Sequence, residues 1–406
     1  MHMINNKKIK ELINKYYLNI LVFIVIAVNL VRIIPIYYNL SDFWRSYILN
    51  YYTLSYQTAG GFVSRGFVGT IVNFFTESIN SKIFYLIFWL IYLVSYNSIA
   101  AIFLKYVKKS EKKILYFAFF LLILFNPATM NYACDFARPD IFLVYIAIVC
   151  MYLIARSKFL FLVPFLVVIG MLIHEGFICF FMPIIGIAFL ISCTRKKKVF
   201  PVIWFAVTII LCLLTLVLVF KYGKTNVTDV DRLFELMQNK IDIGLNSNMV
   251  NFEFGEMKQD LWSISFNELS AYTTWLELIF YAVIFLPIYY IYFKVVGGNS
   301  YIVSNVFLRI LNIIAPFSGL LMIIVGVDYG RWFSLSITAC CIHLFYFVMT
   351  YDIDIFESLK IQDIGKVLTS FFSIVLVYMA IGPMGDIHEH FDFLVSLNNL
   401  VTLFWQ

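Results

Sequence analysis

Charge is the scarcest property of this chain. Only 13 % of its 406 residues are Asp, Glu, Lys or Arg, against about 25 % in soluble globular domains. A soluble enzyme is excluded on that ground. The seven cysteines (134, 150, 179, 193, 212, 340 and 341) form no CxxC pair and lie mostly inside apolar runs, so neither a disulfide framework nor a zinc site is expected. The chain has no P-loop, no GxSxG element and no dinucleotide fingerprint, which removes the common nucleotide-dependent and serine-hydrolase chemistries. No internal repeat period stands out. The net charge of +6 is not a nucleic-acid signal, because the basic residues fall in short clusters between apolar runs.

What is abundant is apolar surface: 62 % hydrophobic and 19 % aromatic residues, with a mean hydropathy of +0.88. The pattern predicts an all-α, polytopic integral membrane protein forming a single transmembrane domain over residues 1–406. The basic clusters orient it, since Lys and Arg stay on the cytoplasmic side. The N-terminus carries Lys7, Lys8, Lys10 and Lys15 and is placed in the cytoplasm, and the first apolar run lacks a small-residue cleavage site, so it reads as a retained anchor. Returning each cluster (105–113, 156–158, 195–198, 294) to that side gives about eleven transmembrane helices. The long outer loops then follow the first and seventh spans: residues 39–82, with an interfacial or re-entrant helix, and residues 221–273. Arg32 and Arg309 lie near span ends, where they can snorkel.

Four polar motifs fall on the outer face in this threading. His174-Glu175 is the only ionisable pair in the apolar run from Phe159 to Ser192, and a carboxylate at the bilayer centre costs several kcal/mol. The pair therefore belongs at the turn between two helices. It admits two readings: a hairpin tip closed by Gly176, or a general base, His or Glu, where substrate meets the membrane. In YQTAGGFVSRGFVGTIVNFF, Arg65 either anchors an amphipathic helix to headgroups or grips a phosphate bidentately. In CDFARPDIF, Asp140 suits a first helical turn after Pro139. Arg138 does not, being a cation at the wrong end of a helix, and with Asp135 and Asp140 it reads as part of a polar site facing a cavity. In GVDYGRW, Asp328 is ordinary turn chemistry, whereas Arg331 again opposes the dipole. Three such arginines suggest a basic pocket for an anion at the outer boundary. Asp229-Val230-Asp231 and Asp352-Ile353-Asp354 copy a metal-binding DxD outside any nucleotide-binding pattern and read as chance. His388-Glu389-His390 reads as a solvated tail segment, so no metal site is expected.

The set GGFVSRGFVG, FARPD, HEGF and DYGRW, on one face of a many-span chain, resembles the integral-membrane repeat-unit polymerases of bacterial O-antigen and capsule (Wzy-type), and more broadly the GT-C-type membrane glycosyltransferases. The resemblance implies a multi-pass protein of the bacterial inner membrane that extends a glycan carried on undecaprenyl diphosphate. A sugar hydroxyl of one lipid-linked repeat unit would attack the anomeric carbon of the growing chain and expel undecaprenyl diphosphate. Arg65, Arg138 and Arg331 would then hold the diphosphate, His174 or Glu175 would act as base, and Asp140 or Asp328 would orient an arginine or a sugar hydroxyl. The loop 221–273 would hold the sugar chain. The scheme needs no nucleotide, metal or other cofactor; its implied partners are the lipid-linked oligosaccharide, the bilayer and a chain-length regulator, with no nucleic acid. In the GT-C class an acid of the first outer loop is often catalytic, and only Asp42 and Glu77 are available here. Two rivals stay open: a transferase using a polyprenyl-monophosphate donor, and a lipid-linked sugar flippase or transporter.

Overall fold

The computed structural model describes residues 42–92, 113–134, 137–196, 199–224, 227–254, 261–300, 305–324, 328–361 and 363–382, with residues 19, 23, 27, 94, 303 and 326. Asp135, Arg32 and His388-Glu389-His390 lie outside them. The protein is an all-α domain. Among the described residues, three helices are long and apolar enough to cross a membrane: Pro201–Tyr222, Val306–Ile324 and Tyr329–Tyr351. A fourth candidate is the pair Tyr272–Ile284 and Leu286–Gly297, bent by 50°. Shorter apolar helices include Ser81–Tyr92, Ile114–Leu124, Leu162–Ile173, Met182–Thr194 and Ile364–Met379.

In chain order the elements used below are α1 (Asp42–Thr53), α2 (Phe67–Phe75), α3 (Ser81–Tyr92), α4 (Lys113–Leu124), α5 (Pro127–Cys134), α6 (Asp140–Arg156), α7 (Leu162–Ile173), α8 (Phe177–Phe180), α9 (Met182–Lys196) and α10 (Val199–Tyr222). They continue with α11 (Val230–Gln238), α12 (Ser247–Phe254), α13 (Leu261–Ser270), α14 (Tyr272–Ile284), α15 (Leu286–Tyr292), α16 (Val306–Ile314), α17 (Tyr329–Tyr351), α18 (Ile355–Ser358) and α19 (Ile364–Ile381). Helix α17 is the axis of the bundle. Of its apolar window 67 % is buried, against 22 % for the windows in Pro201–Tyr222 and Val306–Ile324. It packs on α5, α6 and the 3-10 segment Ala315–Ile324.

The outer helices instead show long apolar rows. Ile210, Leu213, Leu214 and Val217, at helical spacing on α10, are all more than half exposed. So are Ile279, Val283, Leu286 and Tyr290 along the bent pair. Contiguous apolar surface on this scale requires a non-aqueous neighbour, which fits a membrane-embedded bundle.

The 3-10 segment has a local cause. Pro316 has no N–H to give the carbonyl of Asn312, four residues back. The hydroxyl of Tyr292 donates to that carbonyl instead, at 2.9 Å, and Tyr292 is in turn 2.9 Å from His343 Nδ1 in the middle of α17.

The two long loops clasp each other. Ile79 N–H donates to Lys240 O (2.6 Å), Ser81 N–H to Asp242 Oδ1 (2.9 Å) and Asn50 Nδ2 to Asn246 O (2.8 Å). Leu54, Val63, Leu233, Met237 and Val250 form a small core beneath. The DxD aspartates are accounted for here: Asp229 caps α11 by accepting from Arg232 N–H, and Asp354 caps α18 by accepting from Phe356 and Glu357 N–H. Within the first loop, α2 lies directly on the C-terminal end of α1, and a Cβ on Gly69 would sit 1.9 Å from the Leu54 carbonyl oxygen. Gly69→Ala is therefore expected to lower the thermal midpoint sharply in detergent. Gly60→Ala, at φ +69° with open space around it, is expected to cost only about 1 kcal/mol.

Candidate functional site

Four separate segments bring the seven predicted site residues together. Arg65 lies in the turn between α1 and α2. Arg138 and Asp140 sit at the start of α6, His174 and Glu175 at the α7–α8 turn, and Asp328 and Arg331 at the start of α17.

The innermost contact joins α6 to α17. Arg331 donates from Nε to Asp140 Oδ2 and from a terminal nitrogen to Oδ1, both at 2.6 Å. This bidentate pair explains a cation near a helix N-terminus: the carboxylate across from it, itself favoured at the start of α6, offsets the unfavourable dipole. Arg138 Nε lies 3.8 Å from Asp140 Oδ2, and its terminal nitrogen lies 3.4 Å from Asp328 Oδ2. Asp328 Oδ2 is also 3.7 Å from Arg331 NH1. Asp140, Arg331, Asp328 and Arg138 thus form a closed ring of alternating charge.

A second ion pair adjoins the ring. Arg65 approaches Glu175 side-on, with Nε at 3.2 and 3.3 Å from the two carboxylate oxygens and a terminal nitrogen on Oε1. The pair is the more open part of the site. Side-chain exposure is 18 % for Arg65 and 26 % for Glu175, 15 % for Asp328, and 4–7 % for Arg138, Asp140 and Arg331. Among the described residues, three guanidiniums therefore face three carboxylates, so the expected basic pocket already holds acids against each arginine.

His174 is buried between the two sets. Its Nδ1 accepts the Gly176 N–H at 3.0 Å and lies 3.9 Å from Glu175 Oε2. The proton of the neutral ring is then on Nε2. Burial pushes the imidazole down to about 3, with Arg65 and Arg331 adding to the effect and Glu175 opposing it. For Glu175, burial alone would raise the carboxyl, but Arg65 and then His174 outweigh it and hold the group well below the usual carboxylate range. Gly176 closes the tip for a reason other than a left-handed cap: its φ is −57°. A Cβ there would press on His174 Nδ1 and Phe180, each at 3.1 Å. The tip is fixed by Phe180 stacked on Trp332 (centroids 5.4 Å) and by Ser318 Oγ donating to Cys179 O at 2.7 Å.

Both segments that deliver an outer-loop or α6 arginine pass through left-handed backbone. Arg65 has φ +63° and Ala137, just before Arg138, φ +70°. Each costs about 1–2 kcal/mol for a residue with a Cβ, and such outliers concentrate where side-chain placement matters. Tyr52 on α1 holds the Ala137 carbonyl with its hydroxyl. Tyr47 and Tyr51 lie one turn apart on α1 with rings edge to face at 6.1 Å, and Tyr47 is near enough to Arg138 and Arg65 to feel their charge. Burial and Tyr51 push the Tyr47 phenol up, against the pull of Arg138 and Arg65. These tyrosines were missed in the sequence; their i, i+4 spacing in SYILNYYT was the available signal. Glu77 is exposed beyond the end of α2. Among the described residues no group of three His, Cys, Asp or Glu side chains could hold a metal ion.

No family model, no curated protein and no solved structure matches the chain. The site must be read from its own chemistry: paired guanidiniums able to exchange carboxylate for another oxyanion, a buried imidazole N–H donor, and one partly open carboxylate.

Two outcomes follow. Asp140→Asn removes the charge and one of the two acceptor oxygens of a buried bidentate pair and is expected to cost about 3–5 kcal/mol, read as a large fall in thermal midpoint; Asp328→Asn, with contacts of 3.4 and 3.7 Å, should cost much less. His174 is neutral when folded and takes a proton below about 6.5 when unfolded, so the unfolded state binds more protons between pH 3 and 6.5. Its contribution to stability is full above pH 6.5 and falls as pH drops. Melting from pH 7.5 to 5.5 should show this decline, and it should be smaller in His174→Asn, which keeps an acceptor for Gly176 but does not titrate.

Proposed function

We propose that this chain polymerises undecaprenyl-diphosphate-linked oligosaccharide repeat units into an O-antigen or capsule at the outer face of a bacterial inner membrane, as a glycosyltransferase of about eleven spans. The observation that carries the reading is that Arg65, Arg138 and Arg331, from three distant segments of an otherwise apolar helical chain, meet in one polar cluster, Arg65 on Glu175 beside His174, Arg138 on Asp328 and Arg331 on Asp140.

The leaving group is a diphosphate, so the protein's task is to hold negative charge and accept one proton. Asp328 supports the first part. Its carboxylate lies between Arg138 and Arg331 at 3.4 and 3.7 Å, both longer than the contacts that hold Asp140 to Arg331 and Glu175 to Arg65. A phosphate oxygen with more charge could take its place without breaking the Arg331–Asp140 pair, which keeps Arg331 in position. The His174 Nε2–H would donate to a sugar or phosphate oxygen, because its Nδ1 is already engaged. Glu175 is the carboxylate most open to an incoming hydroxyl, at 26 % side-chain exposure. Tyr47 and Tyr51 would supply an aromatic wall beside the arginines. A polyprenyl-monophosphate donor would use the same groups.

A flippase is the second reading, favoured by one observation. The helices Tyr272–Gly297 and Val306–Ile324 are bent or change their winding, around the Tyr292–His343 contact, and broken helices are the transporter's usual site-building device. Glycan length separates the two. In a strain that makes a laddered polysaccharide, Arg138→Gln and Glu175→Gln at wild-type membrane levels should leave glycan of one repeat unit. Normal ladders from both variants would refute the site, and loss of even single-unit glycan on deletion would point to the flippase.

A further inference from the structure

Arg65 and Glu175 neutralise each other at the outermost layer of the site, while the ring of Arg138, Asp140, Asp328 and Arg331 lies behind them at 4–15 % exposure. Both backbones beneath the pair are pinned. On the Arg65 side, Ser64 N–H donates to Gly223 O (3.0 Å), Tyr56 N–H to Thr70 Oγ1 (2.8 Å) and Ser55 N–H to Thr58 Oγ1 (2.8 Å). A Cβ on Gly223 would lie 2.4 Å from Val219 O and 3.0 Å from Ser64, so this seam is closely packed. On the Glu175 side, the turn is held by His174 Nδ1, by Ser318 and by the Phe180–Trp332 stack. What can change is the partner of each side chain, not the position of either segment.

We propose that the Arg65–Glu175 pair is a latch exchanged by substrate: the lipid-linked diphosphate takes Arg65, and the carboxylate it releases becomes the base for the attacking hydroxyl. This rests on the polymerase reading above. Paired, Glu175 is a poor proton acceptor because its charge is spent on Arg65. An anion carrying more charge than one carboxylate competes for the same guanidinium. Once Arg65 turns to it, Glu175 keeps its burial and loses its main counter-charge, so it holds a proton more tightly. The base is thereby armed only when the phosphate is present.

In the step itself, the acceptor hydroxyl gives its proton to Glu175 as its oxygen bonds to the donor's anomeric carbon. The bond from that carbon to the phosphate oxygen breaks, and its electron pair leaves with the diphosphate. Glu175 later returns the proton to water and recloses on Arg65 when the lipid diphosphate departs.

Binding of inorganic pyrophosphate to the purified full-length protein in detergent tests the exchange. Glu175→Gln removes the internal competitor and should bind pyrophosphate about tenfold more tightly than wild type; Arg65→Gln should bind it at least about tenfold more weakly. The double variant should bind no better than Arg65→Gln alone, because the gain acts through Arg65. Unchanged or weaker binding by Glu175→Gln, or a gain that survives in the double variant, overturns the latch. A measurement on wild type avoids any variant that folds poorly. Pyrophosphate should increase labelling of Glu175 by an apolar carbodiimide, mapped by peptide mass spectrometry; unchanged or reduced labelling contradicts the release. Normal ladders from Glu175→Gln, with the pyrophosphate pattern intact, would remove the polymerase reading and leave the anion exchange standing.

Discussion

The structure depends on the ion pair between Asp140 and Arg331. It ties α6 to α17, the most buried of the long helices, with two hydrogen bonds of 2.6 Å in surroundings where both side chains are at most 7 % exposed. In so dry a place neither charge is tolerable alone. The pair holds the start of each helix in register, and the start of each helix carries a second charge, Arg138 or Asp328. Those two therefore meet as a consequence. The hairpin tip follows, because Phe180 stacks on Trp332, the residue next to Arg331. With the tip comes Glu175, and with Glu175 comes Arg65 from the turn between α1 and α2.

Charge balance is the constraint that shapes function. Among the described residues, three guanidiniums against three carboxylates make a stable polar centre within an apolar bundle, but a poor standing receptor for an anion. Any anion must displace a carboxylate, and the contacts are graded for that. Asp140 is held in a tight bidentate pair and is buried, Glu175 is held chiefly by Arg65 and is more open, and Asp328 is held at longer range by two arginines. A site graded in this way keeps its frame while its outer carboxylates give way.

Much of the fold was legible, since apolar runs and basic clusters are one-dimensional signals. The all-α class and the long helices Val199–Tyr222 and Tyr329–Tyr351 correspond to runs of hydropathy in the chain. Polar residues confined to the breaks between such runs are also visible, which is why the site residues could be listed. Their pairing was not. Asp140 and Arg331 are 191 positions apart and Arg65 and Glu175 are 110 apart, and no local pattern connects them. The acid beside Arg138 in sequence is chiefly the partner of another arginine. Nor could the sequence show that Gly176 makes room for His174 and Phe180, or that Tyr47 comes near Arg138 and Arg65; each depends on which helices meet. One aspartate of each DxD motif, Asp229 and Asp354, was legible in retrospect as a residue just ahead of a short helix.

The central claim is that this polar centre handles a lipid-linked diphosphate sugar. The most direct measurement reconstitutes the purified protein in nanodiscs with a single lipid-linked repeat unit, and follows glycan length together with free undecaprenyl diphosphate, without nucleotide. The account predicts glycans of two or more repeats, with one undecaprenyl diphosphate released for each linkage formed, and none from Glu175→Gln. Repeat units that remain single in the presence of folded wild-type protein, with no diphosphate lipid released, would contradict it.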